Sequence, residues 1–117
     1  MTNVTVRNYI NGESASSASG ETTELIDPST GEVFGTAPLS GAADVDAAYA
    51  AASEAFPGWR DATPSTRQKA LLAIADVLEA NADELVELES QNTGKPIAVT
   101  KAEEIPPMID QIRFFAG

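Results

Sequence analysis

The sequence predicts an α+β fold in which short N-terminal β-hairpins are followed by three to four helices. Three observations carry this expectation. Residues 1–40 hold two clusters of turn-forming residues between short runs of strand formers. At Gly41 the apolar spacing changes to a helical period. Beyond it, caps and prolines mark where helices start and stop.

The elements follow in order. "NYINGE" places the Asn11-Gly12 pair, a hairpin turn signal, after a short apolar strand. "SASSASG" is small, polar and loop-like. Two strands, near Thr23–Ile26 and Val33–Ala37, flank the turn-rich Asp27-Pro28-Ser29-Thr30-Gly31 and predict a hairpin with a longer loop. Val45, Ala48, Tyr49, Ala52 and Phe56 then form one stripe of a first helix, which Pro57-Gly58 is expected to end.

Thr63-Pro64 supplies an N-cap and a proline at the first helical position, where its missing N–H costs nothing. Ala70, Leu71, Ile74, Val77 and Leu78 form the inward stripe of this second helix. Asn81-Ala82-Asp83-Glu84 resembles a capping box opening a third helix, with Leu85 and Leu88 facing inward. That helix stops at "NTGKP", where Gly94 suits a left-handed C-terminal position and Pro96 prevents continuation. In "KAEEIPPMIDQIRFFAG", Pro106 and Pro107 fit only the first turn of a last helix, so its start falls near Glu103–Ile105. The chain stops on two phenylalanines without a polar tail, an ending expected of a cut rather than a natural terminus. No internal repeat or interdomain linker is visible; the division expected is a β-hairpin region over 1–40 and a helical region over 41–117.

Composition narrows the chemistry. The 117 residues include 43% hydrophobic residues, enough for a core. A net charge of −11, with only seven Lys and Arg, argues against nucleic acid and against an anionic membrane surface. With no cysteine, disulfides and thiolate metal sites are excluded. With no histidine, the usual general base near neutral pH is missing. "MTNVTVRNYINGE" lacks the basic and apolar regions of a signal peptide, and no apolar run reaches the roughly 18 residues of a membrane span. A cytoplasmic location is the resulting expectation.

Individual residues add little chemistry. Ser65 and Thr66 lack a base to activate them. Glu84, Glu87 and Glu89 read as a solvated helix face. No glycine-rich phosphate loop follows a strand. Lys95 reads as a cation near the carbonyl end of the third helix, a structural placement. No catalytic and no cofactor-binding residue can be named.

The order of segments says more. "YINGE", "IDPSTGEVFGTAP", "ADVDAAYAAASEAFPGW", "TPSTRQKALLAIADVLEANADELVELE", "NTGKP" and "FFAG" together resemble the N-terminal portion of NAD(P)-dependent aldehyde dehydrogenases, from about Asn8 to Gly117. "EEIPPMIDQIRFFAG" looks closest to the branch acting on ω-amino aldehydes such as 4-aminobutyraldehyde. The resemblance implies an α/β parent fold, a small aldehyde substrate and a homo-oligomeric parent. It also implies a mechanism in which a cysteine thiolate attacks the aldehyde, hydride passes to NAD or NADP, and a glutamate-activated water hydrolyses the thioester. In the family these groups lie downstream of "FFAG", so the chain alone is expected to be inert and to bind no dinucleotide.

Two partial sites are implied as well. Family members hold a monovalent cation, K+ or Na+, on backbone carbonyls that correspond here to Leu25, Ile26 and Asn92. Position 92 is often aspartate in relatives with that site, and Asn92 brings no charge. In amino-aldehyde enzymes the last helix borders the substrate tunnel, and a carboxylate near its start would attract an ammonium group. Glu104 matches that position best, then Asp110; stabilisation of a helix N-terminus is the competing role for Glu104. The alternative to a dehydrogenase segment is a self-contained helical module that contacts a partner protein. It requires the apolar faces of 45–56, 70–78 and 109–115 to close on one another.

Overall fold

The computed structural model describes residues 3–117. Five short strands precede the helices: β1 (Val4–Thr5), β2 (Asn8–Ile10), β3 (Glu13–Ala15), β4 (Thr22–Ile26) and β5 (Val33–Pro38). Then come α1 (Ala42–Asp61), α2 (Pro64–Ala80), α3 (Ala82–Thr93), the single turn α4 (Ile97–Val99), a π-helical turn over Thr100–Glu104, and α5 (Ile105–Ala116). The chain divides into two compact units, one running to Arg60 and one from Asp61 to Gly117.

In the first unit, β2 and β3 pair antiparallel with Ile10 opposite Glu13, closed by Asn11 and Gly12. Both turn residues have positive φ, 53° and 79°, the left-handed backbone that a two-residue turn of matching twist demands. Glu13–Ala15 is a strand, so the small polar segment expected to be a loop gives its first two residues to the sheet. A second, three-stranded sheet has the order β1-β5-β4, with β4 antiparallel and β1 parallel to β5. A Cβ at Gly35 would collide with the Val4 backbone carbonyl, so the absence of a side chain there lets β1 approach. The register slips between Leu25 and Ile26, which face Gly35 and Val33 and leave Phe34 as the extra, buried residue of β5.

The β4–β5 connection is held by Asp27. Its Oδ1 accepts from the Ser29 N–H at 2.8 Å and the Ser29 hydroxyl at 2.6 Å, and its carbonyl accepts from the Gly31 N–H at 2.7 Å. The Ser29 hydroxyl, with the Ser29 N–H behind it, holds the Asp27 carboxyl below its ordinary range.

Pro57-Gly58 does not end α1, which continues to Asp61. Gly58 is not in the left-handed region, and Pro57 forfeits one internal hydrogen bond only a turn from the helix end. The Arg60 guanidinium lies 5.8 Å from the Phe56 ring centre, across that last turn. The expected α1 stripe exists but is not covered: Val45, Tyr49 and Phe56 are all exposed.

In the second unit, Thr63 caps α2, its Oγ1 accepting from the Thr66 N–H at 3.2 Å, with Pro64 in the first turn as predicted. α2 packs on α5, with Ala75 and Ile109 buried. The inward face of α2 runs through Leu71, Ala75 and Leu78, while Ile74 and Val77 face out, against expectation. Because α2 is apolar on more than one side, periodicity admits either stripe, and the neighbour α5 selects the one containing small Ala75.

The capping box at Asn81 does not form. Asn81 has φ −111° and ψ 17°, not the extended backbone an N-cap needs, and its Nδ2 donates back to the Val77 carbonyl at 2.8 Å. It serves as the C-cap of α2. The covered face of α3 follows Ala82, Leu85, Val86, Glu89 and Ser90, so Val86 is buried and Leu88 is exposed. Gly94 ends α3 at φ 76°, its N–H donating to the Ser90 carbonyl at 2.8 Å. Pro106 and Pro107 occupy the first turn of α5, but the backbone is already helical from Ile97, eight residues before α5 begins.

Candidate functional site

The "NTGKP" corner closes α3 and turns the chain into α4. Gly94 reverses the backbone, and the Lys95 N–H donates to the Thr93 Oγ1 at 3.2 Å. This fixes the Lys95 side chain over the π-helical turn, where Nζ donates to both oxygens of Glu104 at 3.0 and 2.9 Å. Glu89 stands 3.7 Å from the same ammonium. The hydrogen bonds to Glu104 hold the Lys95 pKa above its ordinary value, so this cation persists at every physiological pH.

A lysine scarce in this acidic chain therefore has two carboxylate partners rather than a bare helix end. Glu104, matched by resemblance to a substrate-facing carboxylate, is engaged by Lys95 in this structure. A substrate ammonium would have to compete with Lys95 for it. Glu104 immediately precedes α5, but its backbone is already helical and its side chain makes no cap hydrogen bond there. Asp110 is exposed on α5, one residue after the buried Ile109.

The π-helical turn is tethered a second time: Lys101 Nζ lies 2.6 Å from Asp83 in the first turn of α3. Thr100, buried at the start of the turn, donates from Oγ1 to the Pro96 carbonyl at 3.4 Å. Such π-helical insertions recur at functional sites. No sequence signal marks this one, because its residues are ordinary helix formers.

Leu25 and Ile26, two of the carbonyl positions considered for a cation, lie in the first unit at the end of β4. Their peptide link lies opposite the extra residue Phe34 of the bulged strand β5. Asn92, the third position, lies in the second unit in the last turn of α3, exposed. Among the described residues, no group of three or more carboxylates is arranged to hold a metal ion. Likewise, among them no helix is long and apolar enough to cross a membrane.

Exposed apolar surface is prominent in each unit. In the first, the β2–β3 hairpin and α1 wall a groove lined by Tyr9, Ile10, Val45 and Ala48. In the second, Ala73, Ile74, Val77 and Leu78 line a shallow apolar depression on α2. On α5, Phe114 and Phe115 are 77% and 78% exposed, their rings edge to face at 5.2 Å. Buried large side chains are few by comparison: Phe34, Val86 and Ile109. Contiguous apolar exposure of this kind marks surface made to be covered.

Asp44 was not expected as a key residue. Gly41 precedes α1 and Asp44 stands three residues later, the spacing of a capping box with an acid at its third position. That spacing is the signal that could have identified it.

Comparison with known proteins agrees with this geometry. The aldehyde dehydrogenase family model matches residues 15–117. The chain is 40% identical over 117 residues to 2-aminomuconic semialdehyde dehydrogenase of Danio rerio, covering all of this chain and 24% of that protein. It is 39% identical over 110 residues to long-chain-aldehyde dehydrogenase of an Acinetobacter species, covering 94% of this chain and 22% of that protein. The NAD+ complex of aldehyde dehydrogenase from Bacillus cereus superposes with a TM-score of 0.93 at 32% identity, over 97% of this chain and 24% of that one. The chain thus spans about a quarter of the length of the curated relatives it matches. The α+β arrangement of short strands and helices is that found in these solved enzymes, and the chain belongs to the aldehyde dehydrogenase family.

Proposed function

We infer that this chain serves as the N-terminal segment of an NAD(P)-dependent aldehyde dehydrogenase that oxidises an aldehyde to the carboxylic acid. One observation carries the reading: nearly the whole chain superposes on a quarter of an NAD+-bound relative, with its apolar helix faces uncovered. In such a parent, the remaining three quarters would cover those faces and supply the attacking thiolate that this cysteine-free sequence lacks. A dinucleotide held by those remaining parts would supply the hydride acceptor. The short chain alone carries out no oxidation, and the parent works as a homo-oligomer in the cytoplasm.

For the substrate, an ω-amino aldehyde such as 4-aminobutyraldehyde is the reading suggested by the last helix. Glu104 and Asp110 are its candidate ammonium partners, and Glu104 can act only when Lys95 yields it. The relatives named above act, by their names, on other aldehydes. A monovalent cation on the carbonyls of Leu25, Ile26 and Asn92 is a reading that the family resemblance alone suggests. Carbonyl oxygens suit such a hard ion.

A self-contained interaction module is less well supported. It needs closed apolar faces, whereas Val45, Tyr49, Phe56, Phe114 and Phe115 are all exposed.

The test is a chimera in which residues 1–117 replace the matching segment of the Danio rerio relative. Aldehyde-dependent NAD reduction by the chimera supports the reading. A chimera that folds and binds NAD yet oxidises none of a panel of aldehydes, amino aldehydes included, contradicts it. Preference for 4-aminobutyraldehyde, lost in Glu104→Gln, separates the substrate reading from the family one.

A further inference from the structure

We propose that Asn11 is a site of spontaneous covalent modification, converting to aspartate and isoaspartate through a cyclic imide formed with Gly12. The chain has five asparagines, and Asn11 alone precedes a glycine. In this reaction the Gly12 backbone nitrogen attacks the Asn11 side-chain carbonyl carbon. Ammonia leaves, carrying away the amide nitrogen, and the Gly12 nitrogen gives up its proton. Water then opens the five-membered imide at either carbonyl, giving aspartate or its isomer with the main chain rerouted through the side chain. No oxidant or second reactant beyond water is needed.

The local structure favours this position over the others. Asn11 and Gly12 are both exposed at the tip of the β2–β3 hairpin, and nothing lies within 4 Å of the space a Gly12 side chain would fill. Nothing therefore crowds the Cβ side of Gly12, where a larger residue would hinder ring closure. Among the described residues, no backbone hydrogen bond outside the strand ladder is donated by the Gly12 N–H. By contrast, Asn81 directs its amide nitrogen to the Val77 carbonyl, and Asn8 directs its own to Ser40 at 2.8 Å. Asn81 and Asn92 are also followed by residues with side chains, Ala82 and Thr93.

The hairpin sets the rate. The ring closes only when rotation about the Asn11 Cα–C and Cα–Cβ bonds brings the Gly12 nitrogen onto the side-chain carbonyl carbon. The paired three-residue strands on either side restrain that rotation until the hairpin opens. Such short two-stranded hairpins open readily. Aspartate keeps the turn and adds a negative charge. Isoaspartate lengthens the main chain by one atom and cannot hold the Ile10–Glu13 pairing. The hairpin wall of the α1 groove, where Tyr9, Ile10, Asn11 and Gly12 face Ala48 and Ala52, is then lost.

The 117-residue chain is incubated at mildly alkaline pH, in buffer and in urea, and mapped by peptide mass spectrometry. The expected result is a gain of about one dalton confined first to the peptide holding Asn11, with isoaspartate as the larger product. The gain should be faster in urea than in buffer and absent at that peptide in Asn11→Gln. Conversion appearing first at another asparagine overturns the proposal. So does an unchanged Asn11 peptide in native buffer over a period in which the urea sample converts, and so does an unchanged peptide in both.

Discussion

Asp44 joins two backbone segments that are distant in sequence: its Oδ1 accepts the Ala18 N–H at 2.8 Å while its Oδ2 accepts the Gly41 N–H at 2.9 Å. The carboxylate is buried, at 8% exposure. One oxygen completes the start of α1; the other pins the loop that leads from β3 to β4. Both are charge-assisted bonds of the stronger kind, and the acid lies at a helix N-terminus where its charge is favoured.

Asp44→Ala is accordingly expected to destabilise the folded state by about 2–3 kcal/mol, since it leaves two backbone donors without their acceptor. Asp44→Asn keeps one acceptor and should cost roughly half as much. Urea unfolding followed by circular dichroism measures both. Equal, near-zero losses would show that water replaces the carboxylate without penalty.

Arg113 of α5 bridges Asp76 and Glu79 of α2, with Nη2 at 2.9 Å from Asp76 Oδ1 and 2.7 Å from Glu79 Oε2. The hydrogen bonds from Arg113 hold the Glu79 carboxyl below its ordinary value of 4.5. A depressed carboxyl stabilises the fold above its unfolded value and loses that contribution as pH falls through its folded value. Stability should therefore decline below about pH 4.5 partly through Glu79. In Arg113→Met, the Glu79 titration followed by NMR should return to the ordinary range. A Glu79 titration unchanged by the substitution would contradict the bridge.

Gly35→Ala tests how β1 is held. The new methyl group meets the Val4 carbonyl, so β1 must separate or β5 must distort. A cost of about 1–3 kcal/mol is expected, with the Val6 amide, which donates to the Thr36 carbonyl at 2.9 Å, exchanging much faster with solvent. Unchanged protection at Val6 would show that β1 is not seated as described.

Local chemistry was readable wherever one or two residues dictate a backbone state. Asn11-Gly12, the 27–31 turn, the Thr63-Pro64 cap and the Gly94 stop all form where expected. What depends on neighbours was not readable. Asn81 carries the chemistry of an N-cap, but it is the sole residue between two helices and takes the C-cap of the first. Ile74 and Val77 have the spacing of a core stripe, but α5 packs on the adjacent one. Pro57 breaks helices in general, yet here it falls too near the end of α1 to matter. The parallel pairing of two-residue β1 and the π-helical turn have no local signature at all. At the candidate site, Glu104 and Lys95 were each legible as charges beside helix ends; their bond across nine residues emerged only from the folded corner.

This chain belongs to the aldehyde dehydrogenase family yet carries no cysteine and so no attacking thiol of its own. The most direct measurement mixes the purified chain with NAD and a series of aldehydes and follows the absorbance of reduced nicotinamide. A flat trace is expected with every aldehyde, 4-aminobutyraldehyde included. A sustained, aldehyde-dependent rise with the pure 117-residue chain would contradict it.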